Sequence, residues 1–306
     1  MDITNKLSSF LSEDVAYFLG LIVGRGTIIK SVELNKLVVD FPFKNLEAVS
    51  PIDANKKFDT QIYLSNSLDK IVERLKKLGL DVSKFNDEDN RVVSLVVVWR
   101  NTDLTWQLLA YLLNGDFSDY HSFRIPKAIF QADKEKQKEF LRGYFDVTGY
   151  VRASNSQFGK EDQQRIYLEV DHRNWFLTLD LYKLFEKVGI FVESIDFGHP
   201  NFRDPNFKKA AGFWAKEHQV KIFANQFLPI GSYLKHKQEV LTDLAKMNRA
   251  GLGDNAGEKK FRIREKAQNT EENSEKLPNF LKGKHFNHYS ELLAILEEND
   301  NIKAYE

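Results

Sequence analysis

The sequence contains no cysteine among its 306 residues, so disulfide bonds and thiolate metal sites are excluded. It also contains no long hydrophobic run. The longest, residues 15–23, is far shorter than the roughly 20 residues that span a bilayer. The first residues lack the basic and then apolar layout of a signal peptide. These absences predict a soluble, cytoplasmic protein with no membrane contact.

Net charge is absent as well, since 44 Lys and Arg residues balance 44 Asp and Glu residues. The sequence pI is near 7.1, whereas that of a dedicated nucleic-acid-binding domain is often above about 9. A neutral total still permits a basic surface opposite an acidic one, and short basic clusters occur along the chain. Composition by itself therefore does not indicate a nucleic-acid partner.

Two apolar segments that end in glycine are the most informative feature that is present. Residues 18–26 read FLGLIVGRG and residues 141–149 read LRGYFDVTG, with glycine at the third and ninth positions of both. Each segment has helical spacing and precedes a run that is typical of a strand. The recurrence indicates two related halves in tandem.

The remaining elements follow the same order in both halves: helix, strand, strand, helix, strand, helix. In the first half, residues 91–99 (RVVSLVVVW) form the clearest strand because they are rich in β-branched side chains. Residues 61–64 are interpreted as a shorter strand. In the second half, an amphipathic helix over residues 175–188 ends at Gly189.

The paired segments resemble the LAGLIDADG motif of homing endonucleases and related DNA-binding proteins, and the resemblance covers about residues 10–248. It implies an α+β fold of two pseudo-symmetric repeats. Each repeat would be an antiparallel sheet with a concave, DNA-facing surface and with helices on its other side. It also implies that the two motif helices pack together on a pseudo-twofold axis. Gly20, Gly24 and Gly143 are expected to form this interface because glycine lets two backbones approach closely.

The resemblance and the composition together predict the domain organisation. Residues 1–130 are a LAGLIDADG-like repeat with its connector, and residues 131–250 are a second repeat. Residues 251–276 are charged and rich in Gly, Asn and Glu, which favours a flexible linker. Residues 277–306 form a short docking segment that either packs on the core or binds a protein partner. The chain is expected to be a monomer with an internal pseudo-twofold.

In the family, the residue before the last motif glycine is an acid that binds metal over the scissile phosphates. Arg25 and Thr148 stand at these positions here. Arginine cannot ligate a cation because its guanidinium stays protonated and has no acceptor. No catalytic residue, metal or cofactor is therefore expected. Mg²⁺ enters only if the protein is an active endonuclease with rearranged ligands centred on Asp146. Asp146 lies about 200° around the helix from the acid position, and a buried hydrogen-bond acceptor is its other interpretation.

The expected DNA contacts come from the helix tips and from the strands. Arg25 would place a bidentate donor over the phosphates, or it simply complements the helix C-terminus. Lys235 and Lys237 match a basic position near the family's active site and are expected to contact phosphate. Successive side chains of a strand point to opposite sides of the sheet, so the side chains on the side that faces the major groove are expected to read bases. These are Lys30; Arg152, Ser154 and Gln157; and Arg165, Tyr167 and Glu169.

The leading hypothesis is sequence-specific binding of double-stranded DNA by a scaffold that does not cleave. Such a protein would act as a transcription regulator, or as the recognition subunit of a partner enzyme such as a restriction or modification enzyme. Two alternatives remain: an active metal-dependent LAGLIDADG endonuclease of the homing or restriction type, and an RNA-binding splicing cofactor. The sequence offers no glycine-rich phosphate-binding loop and no nucleophile–histidine–acid set that would favour another enzyme class.

Overall fold

Two successive α+β repeats make up most of the computed structural model, which describes residues 10–113, 119–153, 160–199, 217–253, 260–263, 285–286 and 289–298. Each repeat has a long helix that leads into an antiparallel sheet. The predicted fold class is therefore confirmed. None of the helices in these ranges is both long enough and apolar enough to cross a bilayer.

The first repeat starts with a helix that Ser12 caps, because its hydroxyl accepts a hydrogen bond from the Val15 backbone N–H at 3.3 Å. Its elements are α1 (Glu13–Arg25), β1 (Gly26–Lys30), β2 (Leu34–Pro42), α2 (Phe43–Leu46), β3 (Ala48–Val49), β4 (Lys57–Phe58), α3 (Gln61–Ser67), α4 (Asp69–Lys77), β5 (Val82–Asp87), β6 (Val92–Arg100) and α5 (Leu104–Leu112).

The long helix of the second repeat is capped in the same way, because the Asp133 side chain accepts a hydrogen bond from the Lys136 backbone N–H at 3.0 Å. Its elements are α6 (Lys127–Gln131), α7 (Lys134–Thr148), β7 (Gly149–Arg152), β8 (Arg165–Asp171), α8 (Trp175–Val188), β9 (Ser194–His199), β10 (Glu217–Phe223), α9 (Ala224–Phe227) and α10 (Lys235–Met247). The C-terminal elements are β11 (Lys260–Ile263), β12 (His285–Phe286) and α11 (Tyr289–Glu298).

The strand order shows that the two halves are structural repeats. The first sheet has the order β1-β2-β6-β5, and the second contains the run β7-β8-β10-β9. Both orders place the fourth strand of the repeat between the second and the third. The registers correspond as well, since Gly26 lies opposite Val39 on β2 and Gly149 lies opposite Leu168 on β8.

The second sheet is enlarged at both ends by strands from elsewhere in the chain. On one side β3 pairs in parallel with β7, with Ala48 opposite Val151, and β4 follows it. On the other side β11 pairs in parallel with β9, and β12 pairs with β11. Residues 260–263 of the predicted flexible linker are thus part of a sheet, because β9 offers them its edge. On α11, Leu292 is buried against the core.

Two local predictions for the first repeat are wrong. Residues 61–64 were expected to form a strand but begin helix α3, because four residues of alternating polarity do not distinguish a strand from one turn of helix. Strand β5 was missed because its sequence, VSKFND, is mostly polar. It forms because β6 supplies the hydrogen-bonding partner all along its length.

Helices α1 and α7 contact one another through their glycines. A β-carbon added to Gly20 would lie 2.7 Å from the Tyr144 backbone nitrogen and closer still to the Phe140 carbonyl oxygen. One added to Gly143 would lie 3.0 Å from the Tyr17 carbonyl carbon. A side chain at either position would therefore push the two backbones apart.

Candidate functional site

The C-terminal tips of α1 and α7 lie side by side beside the second sheet, and five charged or phenolic side chains meet there. We call them the tip cluster: Arg25, Lys44, Tyr150, Glu169 and Glu217. Arg25 ends α1, Lys44 lies on α2, and the other three lie on β7, β8 and β10. The cluster thus joins both repeats.

Arg25 makes an ion pair with Glu169 and leaves only 8% of its surface exposed. Its guanidinium carbon also lies 5.1 Å from the centre of the Tyr120 ring, a cation–π distance. The expectation that Arg25 reaches DNA phosphates is corrected here. Its positive charge is neutralised inside the protein, because the Glu169 carboxylate of β8 pairs with its Nη2 atom.

Glu169 is held by several donors, so the prediction that it reads a base is also corrected. Lys44 Nζ lies 2.9 Å from Oε1, and the Tyr150 hydroxyl donates to Oε2 at 2.7 Å. Asn45 Nδ2 donates to Oε2 at 3.2 Å. Burial raises the pKa of Glu169, but Arg25 and Lys44 outweigh burial and hold the pKa well below its usual range.

Glu217 lies beside this anion and behaves differently. It is fully buried, and Gln219 donates to its Oε1 at 2.6 Å. Burial, together with the negative charge of Glu169, raises the pKa of Glu217 to about 8. The tip cluster therefore holds one ionised and one protonated carboxyl group at neutral pH.

This difference predicts a pH-dependent stability. The ordinary pKa of Glu217 is 4.5, so the unfolded chain loses this proton near that pH, whereas the folded protein keeps it to about pH 8. The free energy of unfolding should fall as the pH rises between these values, by at most about 1.4 kcal/mol per pH unit. Glu217→Gln, which imitates the protonated acid, should match wild type at pH 5 and be more stable at pH 8 in urea unfolding.

Glu169→Gln is the matched control for Glu217→Gln. Because Glu169 is ionised at both pH values, its replacement should destabilise the protein at pH 5 and at pH 8, and less at pH 8, since loss of its charge also lowers the pKa of Glu217. An equal effect of Glu217→Gln at the two pH values would contradict the assignment of the proton.

Thr148 and Asp146 on α7 are both engaged in structural hydrogen bonds. The Thr148 hydroxyl donates to the Tyr144 carbonyl oxygen of its own helix at 2.7 Å. Asp146 is fully buried and accepts from the Tyr17 hydroxyl at 2.8 Å, from the Tyr233 N–H at 3.1 Å and from the Ser232 hydroxyl. Asp146 is therefore a buried acceptor that joins both helices to the start of α10.

Mg²⁺, which the family resemblance implies for the endonuclease alternative, does not fit the residues at this place. Arg25 and Thr148 stand at the two acid positions, and the oxygens of Glu169 and Asp146 are already taken by protein donors. Among the described residues, no three His, Asp or Glu side chains are arranged to hold a metal ion.

Lys237 lies directly behind the tip of α7, and the prediction that it contacts phosphate is corrected. Its fully buried amino group donates to the carbonyl oxygens of Phe145, Asp146 and Gly149 at 2.9, 3.2 and 3.0 Å. It thus satisfies the orphan acceptors of the helix end. Burial lowers the pKa of Lys237 to about 7. Lys235, by contrast, is exposed and lies 3.8 Å from Glu239.

The second sheet turns one side away from the helices. We call this side the C open face. Ile166, Leu168 and Val170 of β8 point into the core, so the alternate residues of β8 and their neighbours form the open face. On it, Tyr150, Glu169 and Gln219 are buried at the tip cluster, and the partly exposed residues are Arg152, Arg165, Tyr167 and Lys221.

Arg152 and Arg165 differ in whether their guanidinium groups are paired within the protein, although both were expected to read bases. Arg165 makes a two-pronged ion pair with Glu193 and also donates to the Gln163 carbonyl oxygen at 2.9 Å, so it is not available. Arg152 stacks 4.8 Å from the centre of the Tyr150 ring. Its buried Nε and Nη2 atoms have no hydrogen-bond partner among the described residues. Tyr167 is half-buried, with Lys221 Nζ 5.7 Å from its ring centre.

Lys30 lies on the other side of its sheet from the one predicted. It is opposite Asn35 on β2 and shares its side of β1 with Ile28, which faces the core. Ile29, rather than Lys30, occupies the open side. Ser154 and Gln157 lie outside the described residues.

Glu217, Lys44 and Asn45 belong to this site but were not predicted from the sequence. The alternation of residues 217–223 could have shown that Glu217 and Gln219 share one side of a strand. No sequence signal marks Lys44 and Asn45, because their segment reads as a polar loop. Its position beside α7 is set by packing.

No protein-family model and no curated protein sequence match the chain. Solved homing endonucleases resemble it. I-DmoI in complex with DNA and Mn has 15% identity over 72% of this chain and 94% of its own, with a TM-score of 0.36. A mesophilic variant of I-DmoI has 14% identity over 74% and 96%, with a TM-score of 0.37. I-WcaI bound to its DNA recognition sequence has 11% identity over 72% and 81%, with a TM-score of 0.38. Such weak similarity transfers no activity to this chain.

Proposed function

We propose that the protein binds double-stranded DNA in a sequence-specific manner on a LAGLIDADG-like scaffold and does not cleave it. Arg152 carries this proposal. Its buried Nε and Nη2 atoms find no acceptor among the described residues, and such donors are costly unless the side chain turns toward acceptors that a ligand supplies. The major-groove edge of guanine offers two acceptors, O6 and N7, in the geometry of this fork.

The tip cluster supports the proposed absence of cleavage. Hydrolysis of a phosphodiester by metal ions needs carboxylates that are free to bind those ions. Here the acid positions hold an ion-paired arginine and a threonine that is bonded to its own helix. Asp146, the ligand in the endonuclease alternative, accepts three protein hydrogen bonds and is buried. No observation favours that alternative.

A protein that binds a DNA sequence without cutting it acts by blocking that site or by bringing a partner protein to it. We assign it the role of a regulator or of the recognition subunit of a partner enzyme, acting as a monomer with two repeats. Part of the predicted docking segment, residues 277–306, packs on the protein itself through Leu292 and Ile295 of α11. Any partner contact by this segment would use its other side.

The test is a binding selection from randomised duplexes with wild type and with Arg152→Ala. Wild type should select a site and lose affinity steeply as salt rises, because neutralised phosphates release counterions. Arg152→Ala should relax the preference at one guanine and cost about 1–3 kcal/mol. Lys235→Ala should weaken all sequences alike. Arg165→Ala is the control, because its charge is already paired with Glu193 and the base preference should stay.

Three outcomes would contradict the proposal. The first is the absence of salt-dependent duplex binding. The second is cleavage of the selected site in Mg²⁺ or Mn²⁺. The third is equal or better competition by structured RNA, which would indicate RNA binding instead.

A further inference from the structure

Strand β5 is the outer strand of the first sheet, and among the described residues it has no neighbour on the side away from β6. Its counterpart in the second repeat is β9, because each pairs on its inner side with the fourth strand of its repeat. The outer edge of β9 is covered by β11, which pairs with it in parallel. Within the described ranges, the edge of β5 is therefore open where the other repeat has an additional strand.

The open edge presents backbone groups that can pair with another strand. In the β1–β2 hairpin, the Ser31 N–H donates to the Leu34 carbonyl oxygen at 3.0 Å. Facing residues of antiparallel strands alternate between bonded and non-bonded pairs, so this hairpin sets the pattern for the whole sheet. The regular registers carry the pattern to β5. Val82, Lys84 and Asn86 consequently direct their N–H and C=O groups outward, away from β6.

The side chains along this edge give it a distinct chemistry. Phe85, on the open side of the sheet, is 57% exposed. Lys84 lies on the other side, where Asp69 accepts a hydrogen bond from its amino group at 2.6 Å. The C-terminal end of the strand is acidic, because residues 87–89 read DED and are all exposed. An occupant of the edge thus meets an exposed aromatic ring and then a negative charge.

The negative charge disfavours a second copy of β5 as the occupant. Antiparallel pairing centred on the strand would place residues 87–89 of each copy beside Asp81 of the other. Parallel pairing would place the two acidic ends next to one another. Like charges that face one another across a strand pair are destabilising. Charge complementarity therefore favours a basic strand.

Strand β11 shows what such an occupant looks like. Residues 259–266 read KKFRIREK, with five basic residues and one acid. Arg262 lies opposite Asp196 on β9, and Phe85 is the residue of β5 that corresponds to Asp196. In the same register on β5, an arginine would lie beside Phe85, which allows a cation–π contact. The basic residues that follow would lie beside residues 87–89.

We propose that the open edge of β5 binds an extended, basic segment of a partner protein by adding it to the first sheet as a parallel strand. Main-chain hydrogen bonds to Val82, Lys84 and Asn86 supply the affinity, as in other cases of strand addition. Phe85 and the acidic residues 87–89 select for arginine and lysine. The interface needs no DNA, so this inference goes beyond the proposed function and is tested separately from it.

The experiment uses a synthetic peptide with the sequence KKFRIREK as the probe and the full chain without DNA. Fluorescence anisotropy should show binding, and hydrogen exchange measured by mass spectrometry should slow over residues 82–87. A peptide with Glu at every Lys and Arg position should not bind. Absence of binding by KKFRIREK would overturn the inference. Slower exchange over residues 194–199 of β9, without any change in β5, would also overturn it.

Two variants test the protein side. Asn86→Pro removes an outward N–H of an exposed residue, so its thermal unfolding should match wild type while peptide affinity falls at least about tenfold. Glu88→Lys should weaken binding about fivefold at low salt. Glu33→Lys is its matched control, because it makes the same change in net charge at the exposed β1–β2 turn.

The control variant should bind the peptide as wild type does. Wild-type affinity in Asn86→Pro, or equal weakening by the two charge reversals, would overturn the inference. If Asn86→Pro does not fold, Glu88→Lys and the exchange measurement decide between the same outcomes. None of these results depends on whether the protein binds a duplex.

Discussion

The Arg25→Asp variant is expected to lose about 3–5 kcal/mol of unfolding free energy in EDTA. Arg25 is the buried cation that pairs with Glu169, and its replacement would leave two carboxylates near one another. Mg²⁺ or Mn²⁺ should restore much of this stability by binding the folded state selectively, by about 2.7 kcal/mol at a concentration 100 times the dissociation constant. Thermal unfolding in EDTA and with each cation measures both effects.

Arg25→Met is the matched control for this variant. It removes the same positive charge and keeps a long side chain but adds no carboxylate, so it should be destabilised without being rescued by cations. Adding Thr148→Asp to Arg25→Asp should raise the affinity for the cation, because Thr148 stands at the corresponding tip of α7. Two results would refute the occupied-site interpretation: wild type stabilised by Mg²⁺, or Arg25→Asp as stable as wild type in EDTA.

A methyl group at Gly20 is the second change with a large expected effect. Gly20→Ala should lower the free energy of unfolding by about 3 kcal/mol. Its β-carbon would overlap the backbone of α7 at Phe140 and Tyr144, which cannot rotate aside. The loss should appear although alanine favours a helix over glycine by about 1 kcal/mol. Urea unfolding of the purified variant measures it.

Gly24→Ala in the same helix provides the comparison. A β-carbon there would meet side-chain atoms instead, Val147 Cγ1 at 2.5 Å and Thr148 Cγ2 at 3.1 Å. Side chains adjust more easily than backbone, so this variant should lose less stability than Gly20→Ala. The reverse order would mean that the helix pair is not held at its closest approach by Gly20.

The sequence correctly predicted those features that depend on residues close together in the chain. Ser12, Gly26 and Gly149 mark the helix starts and ends by rules that act within a few residues. Alternation in β8 correctly predicted that Arg165 and Tyr167 lie on one side and Ile166 on the other. Arg25 and Thr148 could be assigned to the acid positions of the resembled motif because each directly precedes the last glycine of its segment.

The contacts of those residues depended on distant parts of the chain. Arg25 and Glu169 belong to different repeats, and only the packing of the end of α1 beside β8 brings them together. Lys237 was expected to contact phosphate because it matches a basic position near the active site of the resembled family, and lysine is rarely fully buried. Packing of α10 against the end of α7 instead buries it on three carbonyl groups.

By itself, the sequence determined that the protein has two related α+β halves that paired glycine-containing helices join, and it predicted that Arg25 and Thr148 stand where the resembled family has acids. These properties follow from residue type, spacing and local periodicity. Only the tertiary structure decided which charges remain available to a ligand. Arg165 and Arg152 have the same chemistry and lie on the same face, but Glu193 reaches one and not the other. Whether a side chain is paired depends on strand register and packing between distant segments, and residue spacing does not encode this directly.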